Sequence, residues 1–171
     1  MNIMLDLETL GICPGSVILS IGAVEFDMSG IHREFYTNID SMSSQDAGCT
    51  IDASTVKWWM LQSSTARAAL FVAPTQLDIA LDSFTEWLPD TLGGIWGNGA
   101  NFDNVLLVKA YRILGKTAPW SFRKDRCYRT IKSLAPDISL KRVGTHHNSL
   151  NDAKTQALHL IEIVKTLGIK L

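Results

Sequence analysis

Residues 4–11 read MLDLETLG. Two carboxylates, Asp6 and Glu8, stand two positions apart in an apolar run near the start of the chain. If the run is a strand, its side chains alternate between faces. Asp6 and Glu8 then share one face, and Leu5 and Leu7 enter the core on the other. Two carboxylates a few ångströms apart repel, and an apolar setting desolvates at least one, so one takes up a proton if left alone. A divalent cation removes the conflict, and hard oxygen donors suit Mg²⁺ or Mn²⁺. An edge strand wearing solvated charges accounts for the pair equally well. Its partners elsewhere in the chain must decide.

Working outward, residues 2–8 form one expected strand and SVILSIGAVEFD (16–27), apolar and β-branched, a second. HREFYTNI (32–39) alternates as a third, and the Ser29-Gly30 turn makes strands two and three a hairpin. Residues 40–51 are polar and read as irregular. DASTVKWWMLQ (52–62) reads as a helix with Asp52 or Ser54 near its start. A second helix runs from Gln76 to Trp87, and GIWGN (94–98) is a short strand. NFDNVLLVKAYRILG (101–115) is helical, with Phe102, Leu106, Ala110 and Ile113 on one face and Gly115 ending it. Residues 126–134 suggest a short helix, and residues 149–168 a long one. Antiparallel strands followed by strand–helix alternation predict an α/β fold with a mixed sheet.

The 171 residues fit one domain with a substantial core, expected to span 1–171 because no repeat or low-complexity linker divides them. The chain lacks an apolar run long enough for a bilayer and the charged, apolar start of a signal peptide, so a cytoplasmic protein is expected. Cys13, Cys49 and Cys127 are odd in number and widely spaced, which suggests free thiols rather than a disulfide frame or a thiolate zinc site. Net charge is −1 but uneven: residues 1–106 carry 3 basic and 13 acidic residues, and residues 107–142 carry 10 basic and 2 acidic. An acidic part beside a basic part suits metal ions next to a polyanion. Solvated basic helices give the same count.

Two further acids are candidates to join Asp6 and Glu8. Asp103, in GNGANFDN (97–104), falls in the first turn of a helix after a short strand. On its own it could simply complement the helix dipole, an effect of about 0.3–1 kcal/mol. Asp152, in HNSLNDA (147–153), opens the last helix, where Ser149 and Asp152 also match a capping box.

The three stretches together, in this order, are another matter. DLETLG, GNGANFDN and HNSLNDA resemble the DEDDh branch of the DnaQ-like 3′–5′ exonucleases. That resemblance implies a ribonuclease H-like fold: a central mixed sheet, antiparallel in its first three strands and then parallel, flanked by helices. Within the superfamily, DLETLG, STVKWW (54–59) and PWSFRKDRCYRTIK (119–132) look most like small phage and prophage exonucleases of the exonuclease VIII-like or 3′–5′ exoribonuclease subgroup.

By this resemblance Asp6, Glu8, Asp103 and Asp152 hold two Mg²⁺ ions, with Mn²⁺ able to substitute, and His147 is the general base of a 3′–5′ exonuclease releasing 5′-mononucleotides. The family spacing, histidine five residues before the aspartate, selects His147 over its neighbour His146, which is read as a surface residue or one supporting the site from behind. His159 reads as a partly buried polar residue, and His32 is assigned no role. Thr9, Leu10 and Gly11 would line the pocket of the 3′-terminal nucleotide, with Leu10 as an apolar wedge. Asn101, Arg123, Lys124, Arg126 and Arg129 are further substrate-binding candidates, the basic residues on backbone phosphates. Adjacent helical residues point about 100° apart, so one of Trp58 and Trp59 is expected in the core and the other toward a base; the spacing does not choose. DNA with 3′ ends is the favoured partner. RNA stays open, because discrimination rests on contacts to the 2′-OH, and so does a homodimer. A catalytically idle nucleic-acid-binding module on the same fold, or a hydrolase of short oligonucleotides, are the competing expectations.

Overall fold

Strand β1 (Asn2–Thr9) divides the core by plain alternation. Ile3, Leu5 and Leu7 enter one apolar cluster and Met4 the other. The computed structural model describes residues 1–99 and 101–170. In it β1 lies at the centre of a five-stranded sheet of order β3-β2-β1-β4-β5. Strands β2 (Ile18–Asp27) and β3 (Gly30–Asn38) continue antiparallel from β1, and β4 (Gly94–Gly97) and β5 (Asp125–Cys127) pair parallel on its other side.

One face of the sheet is covered by α4 (Leu77–Trp87) and α5 (Asp103–Ile113), whose Leu81, Phe84, Leu106, Leu107 and Tyr111 pack on Ile3, Leu5 and Leu7. The other face is covered by α6 (Tyr128–Ser133) and the long α7 (Ser149–Leu167). There Tyr128, Ala153, Ala157, Leu160 and Val164 meet Met4, Val24 and Phe26. This is the mixed, helix-flanked sheet expected from the sequence.

Helix α2 (Ala53–Met60) is capped by Asp52, whose side chain accepts from the Ser54 N–H. Three short elements depart from the expectation. Residues 40–51 are not wholly irregular: α1 (Ser41–Asp46) forms there, capped by the Asp40 carboxylate on the Met42 N–H and anchored by buried Ser44. Helix α3 (Ser64–Ala69) and strand β5 were not anticipated. Six- and three-residue elements are too short to show a period. Among the described residues, no helix is long and apolar enough to cross a membrane.

The seating of α7 depends on one glycine. Gly22 of β2 lies opposite Asp6 in the antiparallel register. A Cβ there would sit 2.1 Å from the Ser149 carbonyl carbon and 2.2 Å from the Leu150 nitrogen. The bare Gly22 backbone lets the start of α7 lie directly on the sheet, and a hydrogen bond of 2.9 Å between the Ser20 and Ser149 hydroxyls fastens it.

Candidate active site

The row on β1 that begins with Met4 continues into Asp6 and Glu8, and at that end of the strand the first turns of α5 and α7 arrive. One oxygen each from Asp6, Glu8 and Asp152 lie within 4.8 Å of one another. Asp103, the first residue of α5, stands beside them: its Oδ1 accepts the Leu7 N–H (3.2 Å) and its Oδ2 the Asn98 N–H (2.9 Å). Two backbone donors thus fix its carboxylate beside β1. Asp152 is not a helix cap. The cap of α7 is Asn148, whose side chain accepts from the Asn151 N–H, and Ser149 turns its hydroxyl to Ser20 instead. That frees Asp152 to accept the His147 N–H (2.8 Å) and the Arg142 guanidinium (3.0 Å).

Concentrating four acids has an electrostatic cost. Burial, then the charges of Asp103, Glu8 and Asp152, push the Asp6 carboxyl well above the usual carboxylate range, against a Gln156 hydrogen bond that favours its ionised form. Burial and the Asp152 and Asp103 charges push Glu8 up to about 8. Burial raises Asp103 to about 6, its two backbone donors holding it back. Glu8, only 7% exposed, has no hydrogen-bond donor among the described residues. A buried all-oxygen cluster whose members repel fits a hard divalent cation, which replaces the missing donors.

Two cavities meet at Leu7 and Glu8. The polar one, about 240 Å³, is lined by Asp6, Glu8, Asp152, Gln156, His147 and the cations Lys132 and Arg142, among others. The apolar one, about 440 Å³, is lined by Thr9, Ile12, Trp58, Trp59 and Phe102 together with Ser54 and Thr55. The tryptophan pair divides as expected. Trp59 is 6% exposed, and its indole N–H donates to the Thr9 carbonyl (2.9 Å), whereas Trp58 is 41% exposed. His147 lies against Trp58, ring centroids 4.8 Å apart. Burial and the neighbouring His146 hold its imidazole below the usual histidine range, which favours its neutral form.

Other expected substrate residues fall elsewhere. Leu10 packs against the core, its backbone engaged by Val17 and Asp52, and neither it nor Gly11 lines either cavity. The exposed side chain beyond them, Ile12, lines the apolar cavity instead. Asn101 is exposed and on neither wall. Arg123 lies over the Phe122 ring, and Arg126 lines a separate cavity with Asn2, Gly93 and Lys170. The structure brings neither arginine to the carboxylates; Lys132, Arg142 and Arg129, which donates to the Asn98 carbonyl (2.6 Å), are the basic residues that approach them. His159 is buried, with Nδ1 2.6 Å from the Tyr128 hydroxyl and Nε2 2.9 Å from the Ile138 carbonyl, as a core histidine would be.

Gln156 was missed by the sequence reading. Its Nε2 donates to Asp6 Oδ1 (2.7 Å), and its Oε1 is buried without a partner. The available signal was its spacing, four residues after Asp152 and hence on the same helical face.

Residues 1–164 match the family model of the 3′–5′ exoribonuclease Rv2179c-like domain. No curated protein sequence matches the chain. Among solved structures, the chain is similar to the nuclease domain of 3′hExo, a DEDDh family member, bound to rAMP, with a TM-score of 0.66 and 13% identity over 96% of this chain and 92% of that one. Exonuclease X in complex with 5′ overhanging duplex DNA gives a TM-score of 0.61 and 17% identity over 99% of this chain and 95% of that one. Pop2p of S. pombe in its Mg²⁺- and Mn²⁺-bound form gives 0.63 and 15% over 96% and 82%. Likeness at these identities speaks for the fold. The family match speaks for the kind of protein: this chain belongs to the 3′–5′ exoribonuclease Rv2179c-like family, on the ribonuclease H-like fold it shares with the DEDDh nuclease domain of 3′hExo.

Proposed function

We propose that the protein removes nucleotides one at a time from the 3′ ends of single-stranded nucleic acid, as a divalent-metal-dependent phosphodiester hydrolase working as one domain. The observation that carries this reading is the convergence of Asp6, Glu8 and Asp152 within 4.8 Å, where a polar and an apolar cavity meet. Asp6, Glu8, Asp103 and Asp152 would hold two Mg²⁺ ions, or Mn²⁺ in their place. When bound, such ions lower the pKa of a water and stabilise charge on the attacking and leaving oxygens of a phosphoryl displacement.

The chain's own residues do the rest. The terminal base lies in the apolar cavity, with Trp58 as a stacking surface and Trp59 and Phe102 as walls. The phosphate next to it then falls in the polar cavity, between the carboxylates and the cations Lys132 and Arg142. His147, on the wall of the polar cavity and favoured in its neutral form, accepts the proton of the attacking water on a ring nitrogen. Arg129 and Lys132 extend a basic edge along which upstream phosphates are positioned without reading sequence.

RNA is the substrate that the family description favours. DNA is the second reading, favoured by the likeness of DLETLG and STVKWW to phage and prophage exonucleases. The test uses 5′-labelled RNA and DNA strands, single and duplex, with Mg²⁺, Mn²⁺ or EDTA. A ladder shortening from the 3′ end with metal, absent in EDTA and absent for Asp6→Ala, is expected. Cleavage that persists in EDTA, or an Asp6→Ala variant at full rate, would overturn the assignment.

A further inference from the structure

His146 and His147 compete in the sequence for one position, yet the structure puts both rings to one place. His147 has a backbone φ of +61°, in the left-handed region that residues other than glycine enter at a cost of about 1–2 kcal/mol. In extended backbone, consecutive side chains point to opposite sides. The left-handed turn instead lays the two imidazoles face to face, ring centroids 3.7 Å apart and planes inclined by 26°. One ring nitrogen of each and one Asp152 oxygen lie within 4.8 Å of one another.

We propose that His146, His147 and Asp152 form a second cation site, which takes a borderline transition-metal ion of the Zn²⁺ class and blocks the exonuclease by engaging His147 and Asp152. The donor chemistry separates this site from the carboxylate centre. Mg²⁺ prefers oxygen donors and keeps several waters, whereas imidazole suits Zn²⁺, Cu²⁺ and Ni²⁺. Tetrahedral zinc with nitrogen and oxygen ligands at about 2.0–2.1 Å sets its donor atoms about 3.3 Å apart. The three donor atoms already lie within 4.8 Å of one another, and the exposed His146 side chain has room to turn toward the other two. Water supplies the fourth position. Arg142, 3.0 Å from Asp152, opposes a cation here, but its side chain is half exposed and can turn outward. With a metal on its ring nitrogen, His147 cannot accept a proton, and Asp152 is shared between the two sites.

The blocking effect rests on the exonuclease reading; the binding does not, and the experiment keeps them apart. Metal-free Asp6→Ala protein, its carboxylate centre disabled, is titrated with Zn²⁺ against a chromophoric zinc chelator, and with Co²⁺ while visible absorption is recorded. One equivalent of Zn²⁺ is expected, with at least tenfold weaker binding in Asp6→Ala/His146→Ala, and Co²⁺ absorption that His146→Ala abolishes. In the wild-type protein with saturating Mg²⁺, Zn²⁺ should inhibit, and His146→Ala should raise the half-inhibiting concentration at least tenfold, each protein being referred to its own zinc-free rate. His146 is exposed, so its removal does not threaten the fold. Zinc affinity unchanged by His146→Ala would overturn the site. Weakened zinc binding on loss of His146, with zinc inhibition of His146→Ala undiminished, would overturn the blocking role. A protein without exonuclease activity that still binds zinc through His146 would count against the function proposed above and not against this site.

Discussion

Replacing Gly22 by alanine tests whether the sheet-to-helix contact sets the active-site geometry. The added Cβ would meet backbone on three sides: the Ser149 carbonyl carbon at 2.1 Å, the Leu150 nitrogen at 2.2 Å and the Ser149 oxygen at 2.5 Å. Backbone cannot rotate away as a flexible side chain can. To reach ordinary contact, from 2.1 to 3.4 Å, the first turn of α7 must recede by roughly 1.3 Å. Three residues further on, that turn carries Asp152, and Asp6 faces Gly22 across the register. Overpacking of this kind costs about 1–3 kcal/mol, and a misplacement of about 1 Å at a reacting centre costs on the order of 100-fold in rate. Urea unfolding of Gly22→Ala should show a folded protein weakened by that amount, and kcat on a 5′-labelled strand should fall about 100-fold. Ala23→Gly is the companion variant. Ala23 faces the opposite cluster, so it should lose about 0.5–1 kcal/mol with little change in kcat. A Gly22→Ala protein that turns over at the wild-type rate would refute the claim that Gly22 places Asp152.

Other outcomes follow from the same geometry. Glu8 is raised from 4.5 to about 8 and Asp103 from 3.8 to about 6; across that range the folded metal-free chain holds protons that the unfolded chain has released, so stability falls as pH rises toward 8. Thermal midpoints in EDTA should therefore drop between about pH 5 and pH 8, and Mg²⁺ or Mn²⁺ should raise the midpoint more at the upper end; a flat profile would contradict the buried cluster. Gln156→Leu removes the donor to Asp6 and should weaken Mn²⁺ binding, read by calorimetry, by about 10–100-fold. Trp58→Ala should raise KM through a stacking loss of about 1–3 kcal/mol at unchanged stability, whereas Trp59→Ala should cost about 3–5 kcal/mol of folding free energy in urea unfolding.

The parts of the molecule legible in the sequence are those with a period or a fixed spacing. Strict alternation placed Asp6 and Glu8 on one face and Leu5 and Leu7 on the other, and the helical stripe of α7 was plain from Leu150 to Val164. What could not be read depends on tertiary contact. Ser149 satisfied a capping pattern, but Asn148, one residue earlier, took the cap because Ser20 claimed the Ser149 hydroxyl. Which basic residues reach the site depends on β5 and the single 3₁₀ turn at Phe122–Lys124, too short for any pattern. Those elements carry Arg123 and Arg126 away from the site and leave Lys132 and Arg142 facing it. The choice between Trp58 and Trp59 was open until the Thr9 carbonyl supplied a partner for one indole N–H.

The four carboxylates are not equally compensated, and the inequality says where a cation matters most. Asp103 accepts two backbone N–H groups. Asp152 accepts one backbone N–H and a guanidinium. Asp6 has a side-chain amide, and Glu8, among the described residues, has no donor. Compensation thus declines from the helix starts toward the end of β1. A group buried without donors is the one whose ionisation costs most. Glu8 and Asp6, the pair at the opening of the chain, are therefore where a bound divalent cation would replace the most missing stabilisation, while Asp103 and Asp152 are already held in place by their own donors. The fold positions two of the acids, and a bound ion would complete the other two.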